Sequence, residues 1–262
     1  VNSATRRTAS PALREGTSRI VVLNVDTSFE GNYSRSFTRG LDEELAEHEH
    51  ELMVRHCTPT ARSTRQVLDA ITPRAVLRLG EAYLTGDALG DQGGGWRDGL
   101  AAHTSMQLRH LAERGHTRIA MALPDPESPL SGVRLRFARE AARTLGLPPL
   151  RWFAVPRPRS AGTVAVRDFL DTSPPPSAIA AFDDDIALRV VTGLHDLGYR
   201  VPDDVAVIGF DDTEYGELVT PALTTVHIDA ESHGRLAART VLELDTTGLD
   251  AVPGRVIVRE SA

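Results

Sequence analysis

The sequence predicts an α/β protein whose sheets are mostly parallel and flanked by helices. Three observations carry that reading. Short apolar runs of strand length recur along the chain, apolar residues at helical spacing lie between them, and Gly or Pro marks the joints. Within Val205–Phe210, residues Val205, Val207, Ile208 and Phe210 make an almost unbroken apolar run. A strand buried on both faces reads this way, and such strands belong to parallel sheets. Regular alternation of strand and helix then implies right-handed crossovers.

The elements follow in order. Ile20 to Val25 make the first strand, and Phe37, Leu41 and Leu45 recur at i, i+4, i+8, giving a helix with one buried face. Leu52 to His56 is a strand, Val67, Leu68 and Ile71 mark a helix, and Ala75 to Leu79 is a strand. The pattern breaks from Gly80 to Gly99 around GDQGGGW. It resumes with a helix at 102–114 stopped by Gly115 and a strand from Ile119 to Leu123. Leu135, Ala138, Ala142 and Leu145 form the next helix, 133–145, before Gly146. A strand from Trp152 to Val155 and a helix at 161–170 come next. The Pro174-Pro175-Pro176 turn then feeds a strand from Ala178 to Phe182. Ile186, Val190, Val191, Leu194 and Leu197 line a helix ended by Gly198. Beyond Asp211 the reading is a loop, then a helix carrying Leu236, Val241 and Leu244, and a final strand from Arg255 to Val258.

Composition narrows the function classes. A length of 262 residues accommodates one large or two modest domains, and 41% apolar with 25% charged residues is ordinary for a soluble globular chain. There is no apolar run of about 18 residues, so no membrane span is expected, and the first twenty residues show no apolar secretory segment. Cys57 is alone, which rules out an internal disulfide and fits a reducing cytoplasm. A net charge of −7 gives no general attraction to nucleic acid. Residues 1–16 are rich in Ser, Thr, Ala and Arg without an apolar stripe and read as a linker arm.

Carboxylates gather where two strands end. Asp183, Asp184 and Asp185 stand between a strand and a helix, where one Asp would cap free backbone N–H groups. Three exceed the capping need, so at least one is a candidate to face a ligand. Asp211 and Asp212 end the next strand, either as turn residues bonding their own backbone or as pocket residues. Ligands of open α/β sheets bind at the carboxyl ends of strands, and an ionised carboxylate accepts paired hydroxyl protons. His48 and His50 lie at i and i+2, about 200° apart on a helix, and cannot share a metal ion. The glycine run 93–95 lacks the phosphate-loop pattern, and there is no GxSxG element. Neither a cofactor, nor a metal, nor a catalytic residue is expected.

The segments RVPDDVAVIGFDD at 200–212 and TPALTTV at 220–226 resemble the core of the LacI/GalR family of transcriptional regulators. RGHTRIAMA at 114–122, SRIVVLNVD at 18–26, the Arg-led stretch RLRFAREAARTLGL from Arg134, and VRES at 258–261 match that family in order. The likeness covers roughly residues 17–262. It implies a two-lobed, periplasmic-binding-protein-like fold, with one lobe from 17–99 and 229–250 and the other from 100–227 and 254–262. It further implies a small effector bound between the lobes, a homodimer, and operator DNA bound only by an N-terminal head that this chain lacks. Asp211 and Arg134 would then contact the effector, Asp183 would stand where the family has Asn, and Tyr33 would stack on the ligand. Read from the residues alone, Arg134 at a helix start is a solvated surface residue, Tyr33 is equally an aromatic staple packing on its helix, and Asp26, ending the first strand, is a further pocket candidate. A carboxylate in place of the amide at Asp183 suits a ligand presenting hydroxyls or an amine. Phe137 stands three residues after Arg134 where the family has Gly, and residues 80–100 are about twenty short of its pattern.

The resulting expectation is a cytoplasmic, non-enzymatic sensor for a sugar or nucleoside. A periplasmic-type solute-binding protein shares the fold and is the alternative. A carbohydrate-active enzyme is the third reading, since paired acids also serve glycoside hydrolysis.

Overall fold

The computed structural model describes residues 18–26, 29–56, 68, 70–81, 99–172, 174–249 and 253–262. The linker arm, Cys57, Val67 and the glycine run 93–95 lie outside them. The chain divides into two compact units, Val1–Glu81 with Asp229–Pro253 and Ala82–Ile228 with Gly254–Ala262.

The first unit is built on a parallel sheet of order β2-β1-β3, from β1 (Ile20–Val25), β2 (Glu51–His56) and β3 (Ala75–Leu79). Val22 pairs with Met53 on one side and Val76 on the other. Being central, β1 is the most apolar strand, with Val21, Val22, Leu23 and Val25 buried. Helix α1 (Asn32–Glu47) buries Leu41 and Leu45, as its spacing predicts. A second helix, Ala230–Leu242 (α6), packs against it, adding Ala238, Val241 and Leu242 to the same core. The helices meet at Gly40 and Gly234, where an added Cβ would lie 2.0 Å from the Glu231 carbonyl oxygen and 2.1 Å from that of Phe37.

The second unit holds a parallel sheet of order β5-β4-β6-β7: β4 (Ile119–Pro124), β5 (Arg151–Val155), β6 (Ala178–Ala181) and β7 (Ala206–Ile208). Strand residues alternate between two cores. Ile179, Ala181 and Val207 face one cluster, which also holds residues of α4 (Arg159–Leu170) and α5 (Asp184–Asp196). Ala178, Ala180 and Ile208 face the other, which is shared with α2 (Leu100–Glu113) and α3 (Pro129–Thr144). An antiparallel pair, β8 (Thr225–His227) with β9 (Arg255–Ile257), completes the described elements of this unit.

Four sequence expectations need correction. The strand expected over Val205–Phe210 is shorter, because beyond Ile208 the backbone turns to bond the segment after Leu223: Gly209 N–H donates to Thr224 O at 2.8 Å and Asp211 N–H to Val226 O at 2.9 Å. The segment read as a loop there supplies β8. Leu244 lies outside its helix, which ends at Leu242 with Glu243 as cap at φ 60°. Ser128 and Ser131 cap each other's backbone, so α3 starts at Pro129 and Arg134 sits more than one turn inside it, not at its start.

Candidate functional site in the second unit

Parallel strands deliver their carboxyl ends to one edge, and in this unit that edge gathers Asp183, Asp184, Asp185 and Asp211 around Arg134. Asp183 caps α5: its Oδ1 accepts from Ile186 N–H at 2.7 Å. The capping reading therefore holds for that oxygen. Burial is the main force raising the Asp183 carboxyl to about 6, with Asp185 and Asp184 adding repulsion and Arg134 opposing it.

Asp211 is half-buried and adopts φ 96°, a conformation that costs a non-Gly residue about 1–3 kcal/mol unless its surroundings enforce it. Desolvation lifts its carboxyl to about 7, followed by repulsion from Asp183, while Arg134 again pulls the other way. Asp183 and Asp211 thus feel each other and the same guanidinium. Near neutral pH, a proton and a negative charge are held together at this edge.

Arg134 is 2% exposed. Its Nη1 donates to Phe182 O at 2.9 Å and its Nη2 to Gln107 Oε1 at 3.3 Å. The guanidinium carbon lies 3.5 Å from the centre of the Phe210 ring and 5.4 Å from that of Phe182. Flat stacking and inward hydrogen bonds make it a fixed positive charge beneath the acids, an arrangement suited to arginine's planar fork.

Two residues support this site, Gln107, which escaped the sequence reading, and Asp184, which was read there only as one of three capping or ligand-facing acids. Gln107, fully buried on α2, donates through Nε2 to Ala181 O at 2.8 Å, Gly209 O at 3.0 Å and Ile208 O at 3.2 Å, so it ties the ends of β6 and β7 together. A lone Gln in an amphipathic helix carries no sequence signal for that role. Asp184 is fully buried: Oδ1 accepts from Phe210 N–H at 2.8 Å and Thr225 Oγ1 at 2.6 Å, and Oδ2 accepts from Thr213 N–H at 2.6 Å. Burial raises its pKa, and these donors oppose the rise. Gly209 leaves room for this carboxylate, since a Cβ there would lie 2.1 Å from Asp184 Oδ1. The signal was present in the triple Asp, but only the middle carboxylate is the structural tie.

The other two candidates lie in the first unit. Tyr33 is in the first turn of α1; its hydroxyl is 3.0 Å from His233 Nδ1, and its ring stacks on Phe37 at 6.2 Å between centroids. Asp26 follows β1, half-buried, and its carbonyl accepts from Phe29 N–H at 2.9 Å. His48 Nε2 lies 3.5 Å from Glu44 and His50 Nδ1 is 2.7 Å from the His48 carbonyl oxygen. Among the described residues no group of three His, Cys, Asp or Glu side chains is placed to hold a metal ion. Nor, among them, is any helix long and apolar enough to cross a membrane.

Comparison with known proteins gives this arrangement a context. Residues 108–262 match the periplasmic binding protein-like domain. The HTH-type transcriptional repressor PurR of Edwardsiella ictaluri is 32% identical over 142 residues, covering 53% of this chain and 41% of the relative. The ribose operon repressor of Escherichia coli is 28% identical over 183 residues, 69% of this chain and 54% of the relative. The chain thus spans about half the length of the curated relatives it matches. Among solved structures, a LacI family transcriptional regulator from Bifidobacterium animalis subsp. lactis superposes with a TM-score of 0.73 at 24% identity, covering 94% of this chain and 98% of that one. Aligned over the strands that carry its acidic edge, this chain belongs to the periplasmic binding protein-like domain family.

Proposed function

We propose that this chain is the ligand-sensing core of a LacI-type transcriptional regulator, and that its acidic strand edge grips a small hydroxyl- or amine-bearing metabolite such as a sugar or nucleoside. The observation that carries the reading is the pairing of Asp183 and Asp211 over the buried Arg134 charge, at the edge where α/β sheets bind ligands. Carboxylates poised between charged and neutral can accept hydroxyl protons or, once protonated, donate one. Tyr33, from the family likeness, and Asp26, from its place at the end of a strand, are further ligand contacts in this reading. The regulator works as a cytoplasmic homodimer, reaches operator DNA through a separate head, and catalyses no reaction. Its control follows from unequal ligand affinity for two conformations.

Thermal-shift screening of pentoses, disaccharides and nucleosides tests the proposal. A ligand at a hundred times its Kd adds about 2.7 kcal/mol of stability. The shift is expected to vanish for that ligand in Asp211→Ala. A shift of equal size in Asp211→Ala and Asp183→Ala would remove both residues from the site.

A further inference from the structure

We propose that Arg259 is a positioning residue for the ligand site: through Asp212 it holds the turn that presents Asp211. The inference rests on the reading of Asp211 as a ligand contact, and its test requires no knowledge of the ligand.

Asp211 and Asp212 are consecutive non-Gly residues with φ of 96° and 49°. Their backbone is held by Asp211 N–H to Val226 O at 2.9 Å and Asp212 N–H to Thr225 Oγ1 at 3.3 Å. The Asp212 side chain adds a further restraint, and both its oxygens are engaged. Oδ1 accepts from Arg259 Nη2 at 2.9 Å, and Oδ2 lies 3.0 Å from His227 Nδ1. Arg259 is itself fixed: Nη1 donates to Leu223 O at 2.9 Å, Nη2 also to Glu217 Oε1 at 2.8 Å, and its N–H to Thr224 Oγ1 at 3.0 Å. Its side chain is only 12% exposed, so the pair with Asp212 is far less screened than the surface ion pairs elsewhere.

The placement of the clamp in the sequence gives it a second consequence. His227 ends β8, immediately before the chain leaves this unit at Asp229, and Arg259 lies just past β9, after the chain has returned at Gly254. Asp212 therefore ties the turn carrying Asp211 to both of the strands through which the chain enters and leaves the unit. A ligand that fixes Asp211 also fixes the outgoing and incoming strands.

The readout is the Asp211 carboxyl in the ligand-free full chain, followed by carbon-13 NMR against pH. Burial first, then Asp183, Asp184 and Asp185, push its proton affinity up and Arg134 pulls it down, so the titration reports where the carboxyl sits. The wild type is expected to titrate at about 7. With the clamp cut in Arg259→Gln, the turn relaxes, the carboxyl gains solvent, and the midpoint falls by about one pH unit or more. Asp212→Asn, which keeps the size of the side chain but loses its charge, is expected to shift it in the same direction. Arg259→Lys recovers part of the shift, and Glu217→Gln, cutting Arg259's other carboxylate partner, leaves it unchanged. An unmoved midpoint in folded Arg259→Gln or in folded Asp212→Asn overturns the proposal. If Arg259→Gln does not fold, Asp212→Asn decides alone. Failure of the ligand reading looks different: the midpoint moves as described, but no tested metabolite is lost by Asp211→Ala.

Discussion

Arg134 is anchored from within the fold. The family resemblance implies a guanidinium that contacts the ligand. In the structure its Nη1 donates to Phe182 O and its Nη2 to Gln107 Oε1, and its guanidinium carbon lies over the Phe210 ring. Arg134→Met therefore leaves two buried acceptors without their donor. It is expected to cost about 2–4 kcal/mol in urea unfolding; a loss below about 0.5 kcal/mol would mean water replaces the guanidinium freely. The acids above it act in the opposite sense. Asp183 and Asp211 rise from the ordinary 3.8 to about 6 and about 7, so the native state holds more protons than the unfolded chain between those values. Stability then falls as pH climbs through that window, and the full cost is present above pH 7. Asn tolerates positive φ, so Asp211→Asn is a clean probe. It is expected to be more stable than wild type at pH 8 by about 1–2 kcal/mol, allowing for the group's partial exposure, and nearly equal at pH 4. The reverse order in thermal melts at the two pH values would show that Asp211 is charged and satisfied in the native state.

Elements were legible where a period is long enough to repeat. Phe37, Leu41 and Leu45 announced α1, and the apolar runs of β1, β4 and β6 announced buried parallel strands. Strand β7 was announced by its apolar run though it proved shorter, whereas β8, three residues long, is too short to show a period and hid inside a Pro- and Thr-rich segment. Gln107 was illegible for a different reason: its acceptors lie 74 to 102 positions away, and only the fold brings them together. Contact between α1 and α6 was equally hidden, because the two glycines that permit it are almost two hundred positions apart. Gly40 and Gly234 let the backbones approach, and three ion pairs, Arg39–Glu231, Arg235–Glu43 and Arg239–Glu44, lie along the seam. The two more exposed pairs contribute little, about 0–1 kcal/mol each, so close packing dominates. Gly40→Ala or Gly234→Ala must push the helices apart, and each is expected to destabilise by about 1–3 kcal/mol despite Ala's better helix propensity. Neutral or improved stability in both variants would contradict the close approach.

At the scale of the molecule, the described residues of the two units differ in how they cover their sheets. In the second unit the four-stranded sheet is covered on both faces, one cluster on each side, and β4 and β6 are buried along almost their whole length. The described core of the first unit is a single cluster, and its β2 carries no fully buried residue. The ends of that unit's sequence also come from two distant stretches of chain, so loop closure opposes its assembly more strongly. Local opening free energy follows buried apolar contact, so backbone amides of β1 to β3 should exchange with deuterium before those of β4 and β6. Such a difference matters for a sensor, because a ligand can shift only an equilibrium that exists without it. Native-state hydrogen exchange in the ligand-free protein measures it directly. Equal protection across both sheets would mean that the chain opens as one cooperative body, and the softer unit would then have no separate equilibrium for a ligand to bias.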